Sequence, residues 1–192
     1  TPVTVTINPI PAAPTASNQS FCGSGTVANL TPSGVGYTWH ADASTPGILL
    51  PGTVLINGGT YYVQQTVNGC ASPRTPITVT IDSPVNAGVI SGLTEVCVGQ
   101  LINLSSNGDS GGTWSVNNGN ASVNNGNVTG INGGSVVVSY TVNGNGACPN
   151  DVATYTITVN TLPNVTLSKN DITCNGMNDG SATVTVTGNG GF

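Results

Sequence analysis

Apolar residues alternate with threonine and other polar residues in many short stretches of this chain. The alternating apolar positions are Val3, Val5 and Ile7; Ile77, Val79 and Ile81; Ile157 and Val159; and Val184 and Val186. A period of two predicts β-strands with one buried face. Asn-Gly pairs lie between many of these stretches and predict two-residue hairpin turns. Because no segment has an apolar stripe at helical spacing, the pattern predicts an all-β protein.

A longer frame occurs twice along the chain. Cys22 and Cys97 are each followed by a tryptophan 17 positions later, and each lies 44 residues before a Thr-Val-Asn-Gly sequence. Cys70 directly follows the first Thr-Val-Asn-Gly, whereas an Asn-Gly-Ala insertion precedes Cys148 in the second copy. Two cysteines around a tryptophan among short strands are typical of an immunoglobulin-like sandwich. The predicted fold is therefore tandem immunoglobulin-like β-sandwich repeats.

The repeat also predicts domain boundaries. Residues 1–8 match residues 75–82 and are predicted to be the last strand of a preceding repeat. Residues 9–82 and 83–160 are the two full domains, and 161–192 is the start of a third, truncated repeat. Prolines at the junctions predict short, stiff linkers.

The four cysteines of the two frames predict disulfides. Each repeat holds its own pair about 50 residues apart, which predicts Cys22–Cys70 and Cys97–Cys148 bonds formed in an oxidising compartment. Cys174 is left without a partner in this sequence. A zinc site needs ligands set close together, and His40 is the only histidine, so we expect neither a metal nor another cofactor.

The tryptophans have a predicted structural role. Trp39 and Trp114 are expected between the sheets, each packed against the disulfide of its repeat. The alternative is a stacking platform for a sugar. Tyr61, Tyr62 and Tyr140 lie on the strand before the second cysteine, and we expect core packing or a corner hydrogen bond for them.

Charge excludes two classes of partner. Only 5% of the residues are charged, and the net charge is −5 with two basic residues. Nucleic acids and anionic membrane surfaces are bound through lysine and arginine, so neither is an expected partner. No run of 18 apolar residues occurs, and we expect no membrane insertion in this segment.

Enzyme motifs are not found in the sequence. His40 has no accompanying nucleophile motif and is expected in a solvated loop or at a strand end. The seven acidic residues are scattered, without a close pair for glycoside chemistry. Asp171, Asn175 and Asp179 surround Cys174, yet the spacing of a helix–loop–helix calcium site is missing. We expect no enzymatic activity, and calcium binding stays open.

Short motifs in three segments resemble known bacterial repeats. Residues 9–81 carry Gln19-Ser20-Phe21-Cys22, Tyr61-Tyr62-Val63 and Thr66-Val67-Asn68-Gly69-Cys70; residues 85–160 carry Gly92-Leu93-Thr94-Glu95-Val96-Cys97 and Gly112-Thr113-Trp114-Ser115; residues 163–192 carry Ile172-Thr173-Cys174-Asn175-Gly176. The first two segments resemble immunoglobulin-like repeats of giant surface proteins from Bacteroidetes. The third resembles the start of the SprB-type repeat of gliding adhesins.

The resemblance implies a very large protein exported by the type IX secretion system to the cell surface. Some relatives are gliding adhesins, and others are adhesins or appendages of secreted hydrolases. It implies an extracellular location, with neighbouring repeats as partners and surface polysaccharide or a substratum as a further partner.

Three functions follow from these observations. The favoured hypothesis is a structural stalk that extends an adhesive tip from the cell. The second is binding of carbohydrate or another surface polymer, through loops such as 117–133, which is rich in Asn and Gly. The third is self-assembly into a filament by exchange of the first strand.

Overall fold

The chain forms short strands grouped in two compact units. The computed structural model describes residue 3 and residues 7–188. Unit 1 runs to Val85 and also includes Gly144–Asn150, whereas unit 2 comprises Asn86–Asn143 and continues from Asp151. The described residues contain fifteen strands and one turn of 3-10 helix at Val27–Asn29, with no α-helix. The expected strand at residues 1–8 lies largely outside the described residues.

Unit 1 contains one five-stranded sheet. Its strands are β1 (Gln19–Cys22), β2 (Tyr37–His40), β3 (Thr60–Val67), β4 (Cys70–Ala71) and β5 (Thr75–Asp82). The order is β1-β5-β3-β2, and β4 pairs with β3. β1 runs parallel to β5, whereas the other pairs are antiparallel. The alternation in β5 has the predicted effect, because Ile77 and Val79 are buried and the threonines beside them are not.

The layer that covers this sheet is irregular. Val27, Leu30 and Leu55 come from the 3-10 turn and from loops, and they are buried against the sheet residues. A single isolated bridge joins Thr26 to Val54 in this layer. Unit 1 therefore has a sandwich core with only one regular sheet.

Unit 2 has two regular sheets. Its strands are β6 (Ile90–Gly92), β7 (Glu95–Cys97), β8 (Leu101–Ser106), β9 (Thr113–Val116), β10 (Ala121–Asn124), β11 (Asn127–Gly130), β12 (Gly134–Val142) and β13 (Asp151–Asn160). One sheet has the order β10-β11-β8-β6 and the other β7-β13-β12-β9. Val128, Val136 and Ile157 are among the fully buried residues that fill its core.

The two units share one sheet topology. The order β1-β5-β3-β2 in unit 1 corresponds strand for strand to β7-β13-β12-β9 in unit 2, including the parallel pairing of the first and last strands. The predicted fold class is confirmed: the chain has immunoglobulin-like β-sandwich architecture.

Two predicted Asn-Gly turns have the expected backbone. Asn68 and Gly69 have φ values of 48° and 80°, and Asn125 and Gly126 have values of 47° and 81°. Positive φ at both positions is what a type I′ hairpin turn requires. The second turn joins β10 to β11, so most of residues 117–133 form a hairpin of the sheet instead of the predicted loop.

Residues 161–188 contain a hairpin of β14 (Asn164–Asn170) and β15 (Ser181–Thr187). Every residue of both strands is exposed, including Val184 and Val186. The alternation therefore predicted the strand but not a buried face. A third domain at 161–192 stays a prediction.

Candidate functional site

The structure pairs the cysteines differently from the expected bonds. Cys22 is bonded to Cys148, with their Cα atoms 4.7 Å apart and 126 residues between them in sequence. Cys70 and Cys97 have free thiols, as has Cys174. Both members of the bond belong to unit 1, because Cys148 lies in its Gly144–Asn150 segment. The predicted Cys22–Cys70 and Cys97–Cys148 bonds are corrected accordingly.

Strand direction explains why Cys22 and Cys70 are not bonded. Cys22 is in register with Asp82 at the C-terminal end of β5. Cys70 follows β3, whose C-terminal half extends past Thr75 at the other end of β5. The seven residue steps along β5 span roughly 23 Å. A disulfide needs Cα atoms within about 7 Å, so the pair cannot bond.

The same reasoning applies to the second repeat. Cys97 is in register with Asn160 at the C-terminal end of β13. Cys148 precedes Asp151, the first residue of that strand. The strand between them spans roughly 30 Å, so these two cysteines also lie at opposite ends of one sheet.

Asp82 anchors the segment that contains Cys148. Its carboxylate accepts a hydrogen bond from the Ala147 N–H at 2.7 Å, and its carbonyl accepts one from the Gly23 N–H at 2.8 Å. Cys148 Sγ lies 3.5 Å from the same carbonyl oxygen. Gly146 has a φ of 58°, and a Cβ there would lie 2.1 Å from the Asp82 carboxylate. The Asn-Gly-Ala insertion is thus the sequence feature that fits Cys148 against Asp82.

Trp39 lies in the core of unit 1, with 5% of its surface exposed. It belongs to a cluster with Val27, Leu30 and Leu55, and no cysteine is a member of that cluster. The expected packing of the tryptophan on a disulfide is therefore not observed. The indole N–H is buried and has no hydrogen-bond partner among the described residues.

His40 is buried, contrary to the expectation of a solvated position. Only 2% of its surface is exposed. Nδ1 donates to the Gly47 carbonyl at 2.7 Å, which leaves Nε2 to accept from the Thr38 hydroxyl at 3.1 Å. Both ring nitrogens therefore have structural partners.

The loop that covers His40 is held by Arg74. The guanidinium group is 9% exposed and donates to the carbonyls of Asp42 and Thr45, both at 2.8 Å. The Asp42 carboxylate accepts hydrogen bonds from the Thr45 hydroxyl, the Thr45 N–H and the Ser44 N–H. These bonds, the Thr45 hydroxyl first, lower the pKa of Asp42 from 3.8 to about 2. Sequence reasoning missed this arrangement, because Arg74 and Asp42 are 32 residues apart.

Trp114 lies beside a shallow cleft of unit 2. It is half-buried, and its ring centroid lies 4.8 Å from that of Tyr140, with the rings tilted by 42°. The cleft measures about 450 Å³ and is lined by both rings and by polar groups that include Ser105, Asp109 and Asn125. The Tyr140 hydroxyl accepts from the Gly112 N–H at 2.9 Å and donates to the Asp109 carbonyl at 2.8 Å.

The carboxylates near Cys174 have local partners. Asp171 pairs with Lys169 at 2.9 Å. Asp179 accepts hydrogen bonds from the hydroxyl and the N–H of Thr173, which lower its pKa. Within residue 3 and residues 7–188, no group of three His, Cys, Asp or Glu side chains could hold a metal ion. No helix in this part of the chain is long and apolar enough to cross a membrane.

A family model and several solved structures match the chain. Residues 11–83 match the family model described as Ig-like domain CHU_C associated. A search of curated proteins finds no match.

Among solved structures, the chain is similar to titin domains I67–I69, with a TM-score of 0.35 and 10% identity over 89% of this chain and 73% of that chain. For the full ectodomain of mouse nectin-like molecule 4, the TM-score is 0.37 and the identity 14%, over 91% and 77% of the two chains. For domains 1–6 of the surface layer protein SbsC, the TM-score is 0.26 and the identity 19%, over 83% and 30%.

Likenesses at these TM-scores carry no argument about function. The family match covers the whole first repeat, and the second repeat has the same strand order. The chain therefore carries immunoglobulin-like repeats of the kind that the CHU_C-associated model describes.

Proposed function

We propose that this chain is a structural stalk segment of an extracellular adhesion protein, and that it has no enzymatic activity. The observation that carries the proposal is the disulfide between Cys22 and Cys148. Disulfides of this kind persist in oxidising surroundings, which supports a location outside the cell. Immunoglobulin-like units in tandem provide length with little chemistry on their surface.

The disulfide changes how a pulling force passes through the molecule. A force on the two chain ends reaches Cys22 from one side and Cys148 from the other. The bond then carries the force directly between them, and the 125 residues from Gly23 to Ala147 are bypassed. Both tryptophan cores lie within that bypassed stretch. Such a segment keeps a fixed length under load, which is what a stalk requires.

The resemblance to repeats of Bacteroidetes surface proteins supports a more specific form of the proposal. In that form the stalk belongs to a very large adhesin exported by the type IX system, with gliding motility as one use. Its partners are neighbouring repeats, and a tip elsewhere in the protein contacts the substratum or surface polysaccharide.

Single-molecule stretching of the chain by its two ends tests the stalk. With the disulfide intact, about 66 of the 192 residues can extend, which corresponds to roughly 240 Å at most. After reduction, extension rises by roughly 450 Å, because the bypassed residues become free to unfold. The variant Cys148→Ser gives the reduced behaviour without a reductant, and Cys174→Ser is the matched control. Full extension of the oxidised chain would contradict the proposal.

One observation favours a second function, the binding of carbohydrate. The cleft beside Trp114 combines two aromatic rings with serine, asparagine and aspartate groups, and sugar sites use such rings for stacking and such groups for hydrogen bonds. A glycan array probed with the chain tests this. Binding that Trp114→Ala removes and Tyr62→Ala leaves unchanged supports carbohydrate recognition. The absence of binding excludes it for the glycans displayed.

A further inference from the structure

Three strand ends of this chain are equivalent in sequence and position. Asp82 ends β5 and Asn160 ends β13, and both follow alternating Thr, Ile and Val residues. Asn8 follows the matching stretch at residues 1–7. We call these three places the strand-end sites.

The site at Asp82 is complete, because two cysteines meet there. Cys22 arrives on β1, in register with Asp82, and Cys148 arrives on the turn that precedes β13. We refer to the first kind as a strand cysteine and to the second as a turn cysteine.

The site at Asn8 has only the turn cysteine. Cys70 Sγ lies 3.7 Å from the Asn8 carbonyl oxygen, as Cys148 Sγ lies 3.5 Å from that of Asp82. The Asn8 side chain donates to the Asn68 carbonyl at 3.2 Å, so the turn is held at this strand end by its own hydrogen bond. Among the described residues, no strand cysteine accompanies Cys70.

The site at Asn160 has only the strand cysteine. Cys97 is in register with Asn160, as Cys22 is with Asp82. The Asn160 carbonyl accepts from the Val98 N–H at 2.9 Å, and the Asp82 carbonyl accepts from the Gly23 N–H at 2.8 Å. Cys97 is exposed, and in the described part of the chain no turn cysteine faces it.

We propose that Cys70 and Cys97 each form a disulfide with another immunoglobulin-like unit of this kind. Cys70 bonds a strand cysteine, and Cys97 bonds a turn cysteine, so that each bond repeats the geometry of Cys22–Cys148. The inference goes beyond the proposed function, because it concerns the bonding of these two thiols whatever the repeats support.

The bond formation is an ordinary two-electron oxidation. Two thiols lose two protons and two electrons, and an S–S bond forms between their sulfur atoms. The electrons reduce a disulfide oxidant, such as a thiol–disulfide oxidoreductase of the export compartment or oxidised glutathione, to two thiols. A single thiolate attack and a mixed disulfide lie on the route.

Disulfide mapping of the protein as isolated from its source tests the inference. Free thiols are blocked by alkylation, the unreduced protein is digested, and linked peptides are identified by mass spectrometry. The expected result is that nearly all Cys70 and Cys97 resist alkylation. Cys70 is linked to a cysteine that ends a β1-type strand, and Cys97 to a cysteine that follows a Thr-Val-Asn-Gly turn. The Cys22–Cys148 peptide is the internal control for oxidation.

The linked peptides also identify the source of the partner. A Cys97–Cys70 peptide that disappears in Cys97→Ser but persists in Cys174→Ser identifies a second copy of this chain. A partner peptide of different sequence identifies another unit. Alkylated Cys70 or Cys97, a Cys22–Cys70 bond or a Cys97–Cys174 bond would overturn the inference. The stalk proposal would survive that result, because it depends on Cys22–Cys148 alone.

Discussion

The two repeats differ most in the layer that covers the shared sheet. In the first repeat, loops and one 3-10 turn cover the sheet, whereas in the second a complete sheet of four strands does so. The sheet that bears the cysteine frame is nearly the same in both. The frame therefore specifies one sheet, and the opposite layer can vary as long as it supplies apolar side chains to the core.

The register of the tryptophan strand also differs. Trp39 and Trp114 are 75 residues apart, as are Val63 and Val138. Trp39 lies opposite Val63, yet Trp114 lies opposite Tyr140, a shift of two residues. Because side chains alternate with a period of two, this shift keeps the same face inward. It moves Trp114 from a core position to the edge of a cleft.

The equivalent cysteines Cys148 and Cys70 give the largest expected difference between the repeats. Cys148→Ser removes a bond that closes 126 residues, which lowers the free energy of unfolding by roughly 5 kcal/mol in the chain-entropy model. Cys70→Ser changes it by less than about 0.5 kcal/mol in this chain, since the thiol is not bonded. Denaturant unfolding of the oxidised proteins measures both. Equal losses would contradict the assigned pairing.

The tryptophans give the next largest difference. Trp39→Ala is expected to cost about 3–5 kcal/mol, because the ring is buried in the core. Trp114→Ala is expected to cost about half as much, because the ring is partly exposed. Thermal unfolding of each variant measures the effect. Trp39→Phe is the control and should cost less than Trp39→Ala, since it also removes the unpaired indole N–H.

Tyrosine hydroxyls distinguish the repeats more finely. The Tyr140 hydroxyl makes two hydrogen bonds to the backbone, whereas the Tyr61 hydroxyl accepts one, from the Ile56 N–H at 2.8 Å. Tyr140→Phe leaves two backbone groups without their partner and should cost about 1–3 kcal/mol. Tyr61→Phe should cost about 1 kcal/mol. Chemical denaturation provides the measurement, and a larger loss for Tyr61→Phe would contradict the prediction.

The smallest expected effect is a pH dependence of the first repeat. The pKa of Asp42 is about 2 in the folded protein and 3.8 in the reference state, so the ionised carboxylate favours folding. Its contribution is fully present above about pH 4 and is lost as the pH falls through about 2. Asp42→Asn should therefore be less stable than the natural protein at pH 6, and the difference should disappear below pH 2. Thermal unfolding across this range measures it, and a constant difference would contradict the assignment.

Much of the fold was predictable from local sequence, but the cysteine pairing was not. The alternation in β5 and the Asn125-Gly126 turn depend on neighbouring residues, so the pattern identified both. Which cysteines meet depends on β1 lying parallel to β5, a pairing between segments about 60 residues apart. The burial of His40 likewise depends on Arg74, whose contacts with the covering loop leave no local signal. The Trp114 cleft arises from a register shift that equal spacing conceals.

The disulfide also determines what a protease can achieve. A single cut of the backbone anywhere from Gly23 to Ala147, for example after Arg74, leaves both fragments joined through Cys22–Cys148. Everything attached to one end of the chain then stays covalently connected to the other end. For a protein displayed outside the cell, where proteases are abundant, one broken peptide bond in this region does not mean detachment.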